Sequence, residues 1–124
     1  MEIELYETQS GECPIKEYLD SLEKKIRAKT YRNIDLLEKN GQYLEMPYSR
    51  YICDGIRELR TIQGNNIIRI FYFFVIGNKA VLTNGFTKKT DKTPTKYIEL
   101  AKRYREDYKR RNLLWNIAII KNKL

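Results

Sequence analysis

The chain has 124 residues, enough for one domain with a single core, and 42% of them are hydrophobic, with ten Tyr and four Phe. That content excludes a disordered polyelectrolyte, and the absence of His excludes His-based acid–base catalysis, Ser-His-Asp triads and His-containing zinc sites. A formal charge of +8 for so small a domain favours a polyanionic partner.

The acidic, alternating start Met1-Glu2-Ile3-Glu4 reads as neither a signal nor a transit peptide. The longest apolar run, Leu113 to Ile120, falls short of the roughly 20 residues a membrane helix needs. The expectation is therefore a cytosolic protein with no membrane association. Cys13 and Cys53 could pair only with each other and are read as reduced thiols. No CxxC, GxxxxGK[ST] or EF-hand pattern occurs, so neither a cofactor nor a metal is expected.

In chain order, Met1 to Thr8 alternates and predicts an edge strand. Pro14 opens a helical pattern through Ile15, Leu19, Leu22, Ile26, Thr30, Ile34 and Leu37 that ends at Asn40-Gly41. This is one long helix or a kinked pair, with Lys24, Lys25, Arg27, Lys29 and Arg32 on its wet face. Gln42 to Asp54 has little periodicity and is expected to be mostly loop. Ile56–Ile62, Asn66–Ile76 and Lys79–Thr87 predict three antiparallel strands joined by two-residue turns at Gly64-Asn65 and Gly77-Asn78, where Gly takes the positive-φ position. Thr93 as cap and Pro94 in the first turn open a last helix, whose span to Arg111 holds seven basic and three acidic residues. Residues 1–112 thus form one α+β domain, with N-terminal helices packed on a twisted antiparallel sheet and a C-terminal helix; the apolar tail 113–124 would add a strand, cover a groove or meet a partner.

Turn geometry converts these strands into a candidate site. A two-residue turn at Gly64-Asn65 places Arg60 opposite Arg69, and one at Gly77-Asn78 places Arg69 opposite Phe86. Alternation then gathers Arg60, Arg69, Phe86 and Lys88 on one face, beside Glu58, Phe71 and Asn84. Leu59, Ile68, Ile70, Tyr72, Phe74 and Val81 take the other. Opposed arginines repel unless an anion lies between them, and a guanidinium fork suits phosphate oxygens. Phe86 would stack a base, and Lys88 and Lys89 extend the positive field. The plain alternative is that Glu58 neutralises Arg69 and that Phe71 and Phe86 are core beneath the last helix.

The run Asp54-Gly55-Ile56-Arg57-Glu58-Leu59-Arg60, then Arg69, then Gly85-Phe86-Thr87-Lys88-Lys89-Thr90-Asp91-Lys92-Thr93-Pro94 resembles the RelE/ParE toxin superfamily, in its phage-derived HigB-like branch, over Met1 to Arg111. The resemblance implies a microbial-RNase-like, RelE-type fold and the toxin of a type II toxin–antitoxin system. Its activity would be ribosome-dependent mRNA cleavage, by 2′-OH attack on the adjacent phosphate without a metal, and its antitoxin a HigA-like helix-turn-helix protein. Carried onto this chain, the catalytic residues are Arg60, Arg69, Lys88 and Lys89, and Tyr97 falls near where some members place a catalytic tyrosine; Phe86, Glu58, Lys92 and Tyr97 are the expected RNA contacts. Lys88, Lys89 or Glu58 would serve as acid or base. Two other readings share the sequence features: a ParE-like inhibitor of DNA gyrase, and a non-catalytic RNA-binding phage accessory protein.

Overall fold

A computed structural model describes residues 1–75, 78–89 and 92–123, with side chains at 114–120 and 122–123 left out. The chain runs β1 (Glu2–Leu5), α1 (Pro14–Ser21), α2 (Lys24–Asn40), a 3₁₀ turn (Gly41–Tyr43), β2 (Ser49–Cys53), β3 (Ile56–Gln63), β4 (Asn66–Val75), β5 (Lys79–Lys88) and α3 (Thr95–Lys123). One five-stranded sheet has the order β1-β5-β4-β3-β2. β1 lies parallel to β5, and the other neighbours are antiparallel. The fold is α+β and RelE-like.

The helical pattern of residues 14–40 is a pair of helices. Leu22 and Glu23 are extended (ψ 147° and 146°), and this breaks the helix so that each piece can follow the twisted sheet. Ile15, Leu19, Ile34 and Leu37 pack on Leu59, Ile70, Tyr72, Ala80 and Leu82, making the larger core. On the opposite face Ala101, with Tyr97, Ile98, Tyr104 and Tyr108 of α3, covers Ile56, Phe71, Phe73, Val81 and Phe86. Fully burying each such side chain contributes about 1.5–3 kcal/mol.

Four features depart from expectation. The segment expected as loop contains the edge strand β2, closed onto β3 by a two-residue turn at Asp54 (φ 49°) and Gly55 (φ 78°). Both φ values are positive, the geometry an Asp-Gly pair accepts most readily. Thr93 does not cap α3; its hydroxyl donates to Glu58 Oε1 (2.8 Å), and the helix begins at Thr95. Past position 112 the backbone continues as helix to Lys123, so the tail adds no strand there.

The fourth departure is in the second hairpin. Val75 faces Lys79, one position off the register a two-residue turn predicts; Gly77 itself lies outside the described residues. Between Ile70↔Gly85 and Tyr72↔Leu82, β5 then carries Thr83 and Asn84 against Phe71 alone, a β-bulge. Thr83 donates to the Phe71 carbonyl (3.3 Å) and Asn84 to the Tyr97 carbonyl (3.3 Å), holding the bulge from both sides. The extra residue restores the expected register beyond it, so Arg69 does face Phe86. Before the bulge the parity is reversed. Val81 therefore pairs with Phe73 and packs under α3, not with Ile70 and Tyr72 as expected.

Candidate functional site

Three cross-strand rows lie on the face that α3 only partly covers: Arg50–Glu58–Phe71, Arg60–Arg69–Phe86 and Ile62–Ile67–Lys88. The middle row brings two like charges into register, and the Glu58 carboxylate, itself fully buried, lies beside both. Glu58 Oε2 meets Arg50 Nε at 2.8 Å and Arg60 Nη1 at 3.8 Å; Oε1 meets Arg69 Nε at 3.2 Å. Thr93 donates to Oε1 and accepts from Arg50 Nη2 (3.3 Å), tying the segment after β5 onto this cluster. A carboxylate so deep in protein is tolerable only when paired and hydrogen-bonded, and here it is both.

Both arginines are buried, Arg69 completely and Arg60 to 5% exposure, and only Arg60 touches a groove. Arg69 is fully enclosed, its guanidinium 5.1 Å from the Phe86 ring and its Nη1 donating to the Lys88 carbonyl (3.4 Å). Arg60 reaches a surface groove of about 480 Å³, whose walls include Arg50, Lys89, Met46, Ile62 and Ile67. Arg69 therefore shapes the site from beneath, Arg60 touches the groove from its wall with little exposure, and Arg50 and Lys89 present the more open cations.

Other expected contacts sit elsewhere. Phe86 is only 5% exposed, stacked between Tyr97 (centroids 4.2 Å apart, planes 2° apart) and Phe71 (5.8 Å), so no base can lie on it. The plain alternative for Phe71 and Phe86, core beneath the last helix, is the arrangement found. Tyr97 covers Phe86 and receives Lys96 at 5.0 Å from its ring, away from the groove lining. Glu58 lies beneath the groove, not in it, with its oxygens held by Arg50, Arg69 and Thr93; this removes it as base or RNA contact. Lys88 and Lys92 are exposed on either side of the segment that carries Lys89.

Sequence reading missed four residues that build the site. Arg50 lay in a segment taken for loop, although Asp54-Gly55 signalled a hairpin whose other strand had to contain it. Thr93 was assigned to a helix cap. Asn33, polar but buried on the inner face of α2, donates to the Arg60 carbonyl (3.1 Å) and to Thr61 Oγ1 (2.9 Å), fixing β3 at the arginine. Tyr18 of α1 bonds Thr87 Oγ1 at 2.7 Å, just ahead of the lysine pair, and burial pushes its phenol up to about 12. A Cβ at Gly85 would stand 2.6 Å from the Tyr18 ring and 2.7 Å from the Arg69 carbonyl, so only Gly lets α1 approach the sheet there. At the far end Arg105, nearly buried, grips Asp54 through Oδ2 (2.7 Å) and its carbonyl, pinning the β2–β3 turn to α3.

A helix-backed antiparallel sheet with a cationic groove beside an arginine row is the arrangement of a small RelE-like α+β protein. The family model for phage-derived Gp49-like proteins (DUF891) matches residues 17–106, most of the chain, and the chain belongs to that family, a toxin-type family within the RelE/HigB-like group. Arg50, Glu58, Arg60, Arg69, Lys89 and Thr93 all fall inside the matched span, whereas β1 and the end of α3 lie outside it. A comparison with curated proteins finds no match.

Proposed function

We propose that the chain is the toxin of a type II toxin–antitoxin pair, an endoribonuclease that cuts ribosome-bound mRNA without a metal, restrained by a HigA-like helix-turn-helix antitoxin. The observation that carries this reading is Arg60 in the groove wall, with Arg50 and Lys89 beside it and a buried carboxylate behind it. In the reaction the 2′-hydroxyl gives up its proton to water, its oxygen attacks the adjacent phosphorus, a new O–P bond forms and the bond to the 5′-oxygen breaks. The products are a 2′,3′-cyclic phosphate and a 5′-hydroxyl. Arg60 stabilises charge on the phosphorane, usually the largest catalytic contribution. Lys89 gives its proton to the leaving 5′-oxygen. Alignment of the 2′-hydroxyl is left to the ribosome, and such prior orientation supplies several kcal/mol of barrier reduction.

Arg69, Glu58 and Thr93 act through Arg60 and the Lys89 segment as positioning residues. The basic face of α2 adds phosphate contacts, so binding to the ribosome weakens steeply with salt. Primer extension on mRNA after brief induction tests the reading. The expected result is cleavage at phased positions within translated messages, lost in Arg60→Ala. Growth arrest with intact mRNA and gyrase-linked DNA breaks would replace it with a gyrase inhibitor.

A further inference from the structure

The groove beside Arg60 has an apolar half that phosphate chemistry leaves unused. Ile62 faces Ile67 across β3 and β4, and Lys88 stands opposite Ile67, so this row adjoins the arginine row on the same side of the sheet. Ile67 is buried, but Ile62 is 46% exposed, and Met46, 59% exposed, reaches the same groove from the segment ahead of β2. Large apolar side chains left in water within a concave, cationic site mark a place where something apolar is covered on binding.

Charge selects the occupant. Arg50, Arg60 and Lys89 line the groove, and its lining includes no carboxylate among the described residues. The fitting ligand is an anion that carries a flat apolar part. Rows two residues apart along a strand are separated by about 7 Å, the reach from the phosphate of a nucleotide to its base. The aromatic ring expected to stack that base, Phe86, is occupied on its outer side by Tyr97.

We infer that Ile62, Ile67 and Met46 form the nucleobase site of the groove, holding the face of one unpaired base while Arg60 and Lys89 hold its phosphate. This rests on the RNA reading above and assigns the base-binding role to aliphatic and thioether side chains. Such a surface takes any base by its face, because every base has an apolar π surface.

The test compares two uncleavable ligands by fluorescence anisotropy: a short 2′-O-methyl RNA and the same oligomer with abasic sugars. The wild-type chain is expected to bind the base-bearing oligomer about tenfold more tightly, within the range of one stacking contact. The Met46→Ala/Ile62→Ala variant is expected to lose that preference while its circular-dichroism melt stays near wild type, and Ile62→Met is expected to keep it. Equal binding of the two oligomers by the wild type, or none, overturns the base site even if mRNA is cut in cells. A tenfold preference without cleavage sinks the nuclease reading and leaves the base site standing. A polyglutamate peptide binding as tightly as the RNA makes a protein the occupant and also overturns the inference.

Discussion

Arg60 and Arg69 face each other directly across β3 and β4, and one buried carboxylate, Glu58, lies against both. Like charges in register should weaken a sheet. Here Glu58 converts the repulsion into a scaffold, because Arg50 and Thr93 complete its hydrogen bonds. Removing one partner from a buried ionic cluster is costly because the charges left behind stay out of water. Glu58→Gln is therefore expected to destabilise the fold by about 3–5 kcal/mol. Thr93→Val, which removes two hydrogen bonds to charged groups, is expected to cost about 3 kcal/mol. Urea titration reads both, and a Glu58→Gln midpoint equal to wild type would contradict the cluster's structural role.

Burial predicts that the two arginines part company on mutation. Arg69 is fully enclosed and 3.2 Å from Glu58, whereas Arg60, 5% exposed, lines the groove and stands 3.8 Å from that carboxylate. Arg60→Ala is expected to lose less stability than Arg69→Ala, its approach to Glu58 being the longer one, while cleavage falls on the order of 10²–10³-fold, the effect of losing one preorganised donor. Arg69→Ala is expected to lose stability first, by about 3 kcal/mol or more, as Glu58 loses a buried partner. Thermal melts set beside cleavage assays on the same preparations decide this.

Close packing of α1 on β5 makes Gly85 a sensitive position. Gly85→Ala places a methyl 2.6 Å from the Tyr18 ring and 2.7 Å from the Arg69 carbonyl. The expected loss is about 1–3 kcal/mol, the range for overpacking. Adding Tyr18→Ala relieves the ring but not the carbonyl, so a double-mutant cycle should show partial rescue only. Full rescue would mean that the backbone there yields freely.

Acid should loosen the link between α3 and the β2–β3 turn. The hydrogen bond from Arg105, followed by its charge, holds the Asp54 carboxyl below its ordinary value of 3.8. Asp107 is lowered likewise, chiefly by the hydrogen bond from Tyr6. A carboxylate depressed in the folded state contributes stability that is complete above its unfolded value and disappears as pH falls through the folded one. Stability is therefore expected to decline below about pH 4, and Asp54→Asn to flatten part of that decline. Asp54 is well exposed, so the contribution is small and salt-sensitive. Denaturant midpoints measured across this range at low and high salt would reveal it.

What could be read without coordinates is the arginine row, and the reason is local. Gly64-Asn65 restricts its own backbone strongly enough to pair Gln63 with Asn66, and every pairing back to Arg60↔Arg69 follows from the two-residue period. The partner of Arg69 on β5 is another matter. A two-residue turn at Gly77-Asn78 predicts Phe86, yet the hairpin is offset by one and the bulge at Thr83-Asn84 takes up the difference. That bulge is held by the Phe71 and Tyr97 carbonyls, and Tyr97 is 13 residues from Asn84 in sequence. Its position depends on where α3 docks, which no local pattern encodes.

The run of β3, β4 and β5 as an antiparallel meander and the alignment of Arg60 with Arg69 thus followed from the sequence by itself, because turn stereochemistry and alternation act over a few residues. Only the tertiary structure decided which of those charges meets solvent. Laying α3 over Phe71 and Phe86 buries Arg69 and Glu58, leaves Arg60 5% exposed at the groove wall, and leaves the end with Ile62 and Lys89 open. Burial is a property of what is packed above a residue, and those covering groups come from distant parts of the chain.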